Sequence, residues 1–494
     1  MMQILVRWIG RRCLRWFYRE CCFVGRERIP AHGPVLLIGN HWNDIPDALS
    51  GFLSTPRPVH YVATIAAASS PLSKATYRGL GIIPVTRVRD ARKMIEQGRD
   101  PAAMNADAFR SVTDVLARGG VVGIFPEGGV HDGPSLAHFR AGVAKMALDG
   151  AVNGAIVGMN VIAFGMQYDA PRTPRSDMTV AISEAVDVDQ WLAEPAQRAL
   201  LTHASPIASG HTGRLALGEK PARDTGREAA KLALAMRNRL RDTLISMTRN
   251  APTWELAESR DRLVAAVSAA TCPPGESVLE VASHIQLECG RVVEQLSENA
   301  DTVTELADAI AAAVEQAGGI PSSPRDTARV LSGAGVTGGA PNWPSAAVTV
   351  ATAPFALLGW LLHGPVFAYV WRQAQRTAGD RTEIVARAFL PGLYLILCWY
   401  LVLAVVFAVG LYAIGQSTWL VLPAVMVLPR LGDLALSWRD AIEALRLRRR
   451  VASWHESDRA SLRTSADALR VTWTSHLSGS AVKAAAHMSV EAST

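Results

Sequence analysis

From Ala388 to Pro429 the chain carries no charged side chain. A soluble loop or surface helix does not have that composition, so the run belongs in the hydrocarbon of a membrane. The polar turn Ala413–Ser417 divides it into two spans, Ala388–Tyr412 and Thr418–Leu436, with Arg430 and Asp433 near the end of the second. Ser345–Trp371 is also long and apolar, but Pro354, Gly359, Gly364 and Pro365 interrupt it. The arginines decide how many segments cross. Arg372, Arg376, Arg381 and Arg387 precede the pair of spans, while Arg430, Arg439, Arg446 and Arg448–Arg450 follow its apolar part. Three crossings would leave both clusters outside the cytoplasm, against the positive-inside rule. A two-span hairpin, with residues 345–371 re-entrant or lying in the interface, keeps both inside. Residues 344–436 are therefore expected to form a membrane region whose soluble parts face the cytoplasm, a bacterial inner membrane being the expected setting.

The remaining sequence divides by pattern. Residues 1–19 read as a basic amphipathic helix suited to a membrane surface: Ile4, Leu5, Trp8, Ile9, Cys13, Trp16 and Phe17 fall at helical spacing, and Arg7, Arg11 and Arg15 run down another face. Arginines interrupt this start where a signal peptide would have its apolar core. Residues 20–200 alternate short apolar runs with helical stretches, as an α/β domain does. Pro34–Ile38, Val59–Ile65, Gly81–Val85, Gly120–Phe125, Ala155–Phe164 and Met178–Ile182 read as strands, and Ala106–Arg118 as a helix. Residues 201–225 read as a loop, 226–318 as a helical region, 319–343 as a Gly-, Pro- and Ser-rich linker, and 437–494 as a cytoplasmic tail. The six cysteines show no metal-ligand spacing, which fits a reduced compartment. The net charge of +6 rests mainly on arginine. It suits phosphate or an anionic membrane surface, and no aromatic-interleaved basic patch argues for nucleic acid.

Four polar groups lie at or after strand ends. His41 follows Pro34–Ile38, and a neutral imidazole there can take a proton from an alcohol once its tautomer is fixed. Asp47 opens the next helical run and could accept the imidazole N–H; Asp44 is a rival for that role. For an isolated pair the plainer reading is a capping Asp beside a structural His. Glu127 follows Gly120–Phe125 and precedes Gly128-Gly129. Its carboxylate could orient a substrate hydroxyl or anchor an arginine. Arg87 ends another strand and Arg140 lies on a helical run; two guanidinium forks near one sheet edge suit a phosphate.

These segments together resemble the glycerolipid acyltransferase family. Asn40-His41 with Asp47 resembles its first block; the five-residue gap, with Asn43 two after the histidine, is that of the glycerol-3-phosphate and dihydroxyacetone-phosphate acyltransferase branch. Gly81–Asp90 resembles the second block. Phe125-Pro126-Glu127-Gly128-Gly129, with Arg140-Ala141-Gly142, resembles the third, and Val161–Tyr168 the fourth. Val130 stands where Ser is usual, Arg140 where Lys is usual, and Ala163-Phe164 where Pro-Val is usual. The resemblance implies a mixed, mostly parallel sheet flanked by helices, followed by a helical region and a transmembrane hairpin. It implies acyl transfer from acyl-CoA or acyl carrier protein, as co-substrate, to a glycerol phosphate in phospholipid biosynthesis. No metal or resident cofactor is needed. His41 would act as base and Asp47 as its partner. Arg87, Glu127, Arg140 and Asn43 would bind the acceptor, and the N–H groups near Gly128 and Gly129 would face the oxyanion. A lyso-lipid acceptor, or a catalytically silent lipid-binding scaffold, are the alternatives.

Overall fold

A computed structural model describes residues 2–65, 71–86, 88–96, 98, 100–152, 154–204, 223–273, 275–296, 300–336 and 346–476. In chain order its elements are α1 (Met2–Phe17), β1 (Glu20–Val24), β2 (Val35–Gly39), α2 (Ile45–Ser54), β3 (Val59–Thr64), α3 (Pro71–Leu80), β4 (Ile83–Val85), α4 (Val88–Glu96), α5 (Pro101–Ala117), β5 (Val121–Ile124), α6 (Gly142–Val152), β6 (Asn160–Tyr168), β7 (Asp177–Ile182), β8 (Val186–Asp187), α7 (Val188–Ala193), α8 (Pro195–Ala204) and α9 (Arg223–Met247). There follow α10 (Trp254–Thr271), α11 (Val278–Leu296), α12 (Ala300–Ala317), α13 (Pro324–Gly333), α14 (Ala346–Thr377), α15 (Ile384–Ala413), α16 (Val421–Ala452) and α17 (Glu456–His476). The chain forms two compact units. One holds residues up to Arg12, Phe23–Gln167 and Val180–Asn250; the other holds Cys13–Cys22, Tyr168–Thr179 and the chain from Ala251 onward.

The sheet has the order β1-β7-β6-β2-β5-β3-β4, with β8 on β6. β2 runs parallel to β5 and β6, and β3 parallel to β4 and β5, while β8 is antiparallel to β6. The expected mixed, mostly parallel sheet is therefore present. β2 lies inside it, and all five of its residues are buried. That is why Val35-Leu36-Leu37-Ile38 reads as a continuous apolar run: a strand covered on both faces has no polar side to alternate with. The C-terminal ends of β6, β2, β5, β3 and β4 share one edge, the position where open α/β sheets bind ligands. The strand expected from Ala155 starts at Asn160 instead, because Gly158 turns at φ 70° just before it. β1, β8 and the short helices were not signalled, being brief and weakly periodic.

In α1 the arginine face is not wholly free for a membrane. The Arg7 guanidinium donates to the carbonyls of Phe52, Thr55 and Arg57, around the C-terminus of α2, whose last carbonyls lack helical partners. Ile4, Leu5 and Trp8 remain exposed.

The second unit corrects three sequence expectations. Residues 319–343 are not a plain linker, since they contain α13, most of which is buried. Ser323 caps that helix by accepting from the Asp326 N–H at 3.3 Å, and Pro324 opens it. The Ser and Pro that suggested a linker are thus a helix start signal. The apolar segment at 345–371 is not a re-entrant loop, because α14 continues through Pro354 and Pro365 to Thr377. Nor is the region after residue 437 a tail: α16 runs on to Ala452 and α17 follows, and Leu447, Val451, Leu462, Leu469 and Trp473 join one core with Val267, Ile310 and Leu331. Residues 477–494 lie outside the described residues, as do residues 205–222 of the expected loop. Three helices, at Val348–Thr377, Arg381–Ala413 and Thr418–Ala452, are long and apolar enough to cross a membrane.

One glycine tests the packing under the sheet. A Cβ on Gly51 in α2 would stand 1.8 Å from the Tyr61 hydroxyl. Gly51→Ala should gain at most about 1 kcal/mol in helix propensity and lose about 1–3 kcal/mol to overpacking. A lowered thermal unfolding midpoint is the expected result.

Candidate active site

β2 ends at Gly39, and Asn40 takes over its pairing with β6. The Asn40 Oδ1 accepts from the Met166 N–H at 2.7 Å, and its Nδ2 donates to the Met166 carbonyl at 3.0 Å. That clamp fixes where the chain leaves the sheet and sets His41 at its edge. The His41 Nδ1 lies 2.9 Å from Asp47 Oδ2, which also accepts the Asn43 N–H at 2.7 Å. Asp47 is wholly buried in the first turn of α2, where the helix N-terminus favours an anion. A carboxylate only accepts, so Nδ1 carries the proton and Nε2 presents its lone pair. Among the described residues nothing hydrogen-bonds Nε2. The rival Asp44 is exposed and precedes α2 at φ 51°, with no side-chain cap to that helix.

The imidazole is also held face-on. It stacks on Phe125 with ring centroids 4.1 Å apart and planes 6° apart, and Phe125 stacks on Tyr61. Burial first, then the Asp47 carboxylate, pushes the Tyr61 phenol well above its ordinary range, so it stays neutral. Phe125 owes this position to the last residues of β5, which lies beside β2 in parallel register, Ile38 opposite Ile124.

Glu127 occupies a turn closed by the Gly128 N–H donating to the Phe125 carbonyl at 3.0 Å, with Pro126 at the turn's second position. Its buried carboxylate accepts the His41 backbone N–H at 2.7 Å and the Ala137 N–H at 2.7 Å, and the His131 Nε2 lies against it. The sequence suggested that Glu127 would orient Arg87 or the acceptor. In the structure both oxygens are engaged within the loops, because a buried carboxylate must be surrounded by donors. Its influence on a substrate therefore runs through the loops that it ties together.

The other expected site residues divide. Gly128 has φ 74°, and a Cβ there would meet Arg140 Nε at 2.2 Å, so only glycine leaves room for the arginine. Since the Gly128 N–H already closes the turn, it is not available to an oxyanion. The Gly129 N–H has no acceptor among the described residues, and a Cβ added there would meet open space. Arg140 donates Nε to the Glu127 carbonyl at 3.2 Å and is otherwise exposed, with no carboxylate partner among the described residues. Asn43 is buried and serves Asp47 through its backbone. Arg87 lies outside the described residues; the preceding Thr86 is held by Asn105 through two hydrogen bonds, at 2.8 and 3.1 Å.

Sequence reasoning missed a second layer. Trp42 is buried, with the Arg249 guanidinium 4.6 Å from its ring centroid. Next to Arg249, Asn250 accepts the Leu136 N–H at 2.8 Å. The segment after α9 thus reaches the loops that follow both β2 and β5, a contact between positions too far apart in sequence for a local pattern to signal.

Residues 20–165 match the model of the family described as Acyltransferase. The chain is 32% identical over 152 residues to glycerol-3-phosphate O-acyltransferase 2 of Saccharomyces cerevisiae, and 34% identical over 84 residues to glycerol-3-phosphate O-acyltransferase 1 of the same yeast. These alignments cover 31% and 17% of this chain but only 16% and 11% of those proteins. Among solved structures, a 1-acyl-sn-glycerophosphate acyltransferase from Thermotoga maritima is similar at 15% identity and a TM-score of 0.29, over 40% of this chain and 75% of that one.

Glu127→Gln isolates the loop tie. The amide turns an N–H₂ toward groups that now meet an anion, and hydrogen bonds to a charged group contribute about 1.5–3 kcal/mol each. Faster hydrogen exchange at the His41 and Ala137 amides is expected, together with a loss of stability of that order in denaturant unfolding.

Proposed function

We propose that the glycerolipid acyltransferase domain at residues 20–165, which is of the glycerol-3-phosphate acyltransferase-like branch, moves a fatty acyl group from an acyl thioester to glycerol 3-phosphate or dihydroxyacetone phosphate. The observation that carries this reading is His41: Asp47 holds its Nδ1 at 2.9 Å, and its Nε2 is unengaged among the described residues. Nε2 takes the proton of the acceptor hydroxyl as that oxygen attacks the thioester carbonyl. The imidazolium so formed is stabilised by Asp47. The tetrahedral oxyanion is met by a backbone donor, for which the Gly129 N–H is the candidate. Collapse of the intermediate expels the thiolate, which recovers the proton from Nε2. Every atom is accounted for without a covalent enzyme intermediate. Arg140, with its outward guanidinium edge, and Arg87 bind the acceptor phosphate. The donor thioester is carried by coenzyme A or acyl carrier protein.

The product and the donor tail both partition into lipid, and the second unit supplies a way to stay there. We read α15 and α16 as a crossing hairpin and α14 as lying along the interface. Two contacts support this. The Trp438 Nε1 donates to the Thr349 carbonyl near the start of α14, and Trp371 near its end lines one cavity with Arg439. The start of α14 therefore lies beside the later part of α16. Leu447 and Val451 at the end of α16 also share a core with Val330 and Leu331, just upstream of α14. An odd number of crossings would separate these residues by a bilayer. Two crossings leave the arginines at both ends of the hairpin on one side, which we take as cytoplasmic. The exposed Ile4, Leu5 and Trp8 of α1 suit a membrane interface.

Three measurements test this. Purified protein in defined liposomes, offered glycerol 3-phosphate, dihydroxyacetone phosphate and lysophosphatidic acid with one acyl donor, should acylate one of the first two. His41→Ala and Asp47→Asn should each lower kcat by about 10²–10⁴-fold, the range of a lost general base or of its partner, with the unfolding midpoint of His41→Ala close to that of the parent and that of Asp47→Asn lowered by the loss of a buried, hydrogen-bonded carboxylate. Full turnover in folded His41→Ala ends the mechanism. For the membrane arrangement, Gly379→Cys should be labelled by impermeant maleimide only in inside-out vesicles, and Ser417→Cys only in right-side-out ones.

A further inference from the structure

The second unit encloses a cavity of about 280 Å³, walled by the end of α1, the connection between β6 and β7, and the three long apolar helices. Trp16, Phe17, Trp371 and Phe389 form much of its lining. Phe17 fixes two of these walls, standing 5.8 Å from Trp371 and 5.3 Å from Phe389, centroid to centroid. The polar groups at the wall are mostly occupied. His363 has one ring nitrogen 2.8 Å from the Gly359 carbonyl and the other 2.8 Å from the Tyr400 hydroxyl, and the Trp16 Nε1 donates to Asp433. Arg175 forks onto Asp440 and also donates to the carbonyls of Arg15 and Tyr18. Arg439 is different. Only its Nε is engaged, by Glu443 at 2.9 Å, and its terminal nitrogens have no partner among the described residues. Among the described residues no carboxylate lines the cavity.

Water fills a cavity only where it finds two or more polar partners, and these walls offer almost none. The volume is close to the lower end of organic ligand pockets, so a slender hydrocarbon suits it better than a bulky ring system. The one unsatisfied cation at the wall suits a phosphate. We propose that this cavity holds one acyl chain of an anionic glycerophospholipid drawn from the bilayer, with the lipid's phosphate on the outward edge of Arg439. None of its lining residues is among those assigned to acyl transfer, and the proposal does not depend on that assignment. A lipid seated there would fasten α14, α15 and α16 to one another and to the end of α1.

The test uses the full chain in detergent. Native mass spectrometry with phosphatidylglycerol and phosphatidylcholine of matched chains should show one phosphatidylglycerol retained per protein, and several-fold less phosphatidylcholine. Ala388→Phe on α15 and Val366→Phe on α14 fill the cavity from opposite walls and should each abolish retention. Arg439→Gln should equalise phosphatidylglycerol and phosphatidylcholine. On the parent protein, brominated-chain phosphatidylglycerol should quench tryptophan fluorescence to a plateau at one equivalent. That last measurement decides even if the filled variants fail to fold. Quenching that rises without a plateau, unchanged retention in a folded filled variant, or equal retention of phosphatidylcholine by the parent protein would each overturn the proposal.

Discussion

The carboxylate of Asp47, sealed from water at the start of α2, is the constraint around which the loop after β2 is built. A buried ion without partners costs several kcal/mol. Here the cost is offset by the Asn43 N–H, by the His41 Nδ1–H and by the N-terminal field of α2. Each of these donors fixes part of the chain. Asn43 fixes the backbone between histidine and helix, Asp44 takes a left-handed φ of 51° so that the chain can turn into α2, and the imidazole is left with one orientation. The geometry of the imidazole is thus a by-product of satisfying an acid.

Glu127 repeats this logic between loops. Its two oxygens hold the His41 and Ala137 amides, so the segments after β2 and β5 cannot move independently. The stack of His41 on Phe125 adds a second link between the same two segments. A ring fixed in this way is ordered before any ligand arrives, as the proposed general base would need to be.

Much of this was legible in the sequence, and the reasons are specific. Buried parallel strands announce themselves as unbroken apolar runs, so β2, β3 and β5 were found within a residue or two, with His41 and Glu127 at their ends. Asp47 could not be separated from Asp44 by pattern alone, since both open a helical run; only the family resemblance favoured one. The inward role of Glu127 was hidden because its partners are backbone N–H groups, which every residue has. Arg249 on Trp42 joins positions that no period connects. In the second unit a capped helix passed for a linker because Ser323 and Pro324 carry the same letters in both settings. α14 passed for a broken segment because its prolines did not break it.

The parallel register of β2 and β5 carries a consequence for divergence. Ile38 faces Ile124, and His41 and Glu127 each lie three positions further on, so the amide of one meets the carboxylate of the other at equal offset. Adding or deleting a single residue in either stretch would put the two out of step. Related chains that keep this pairing should hold the lengths of these two short segments, and length change should collect in connections away from this sheet edge.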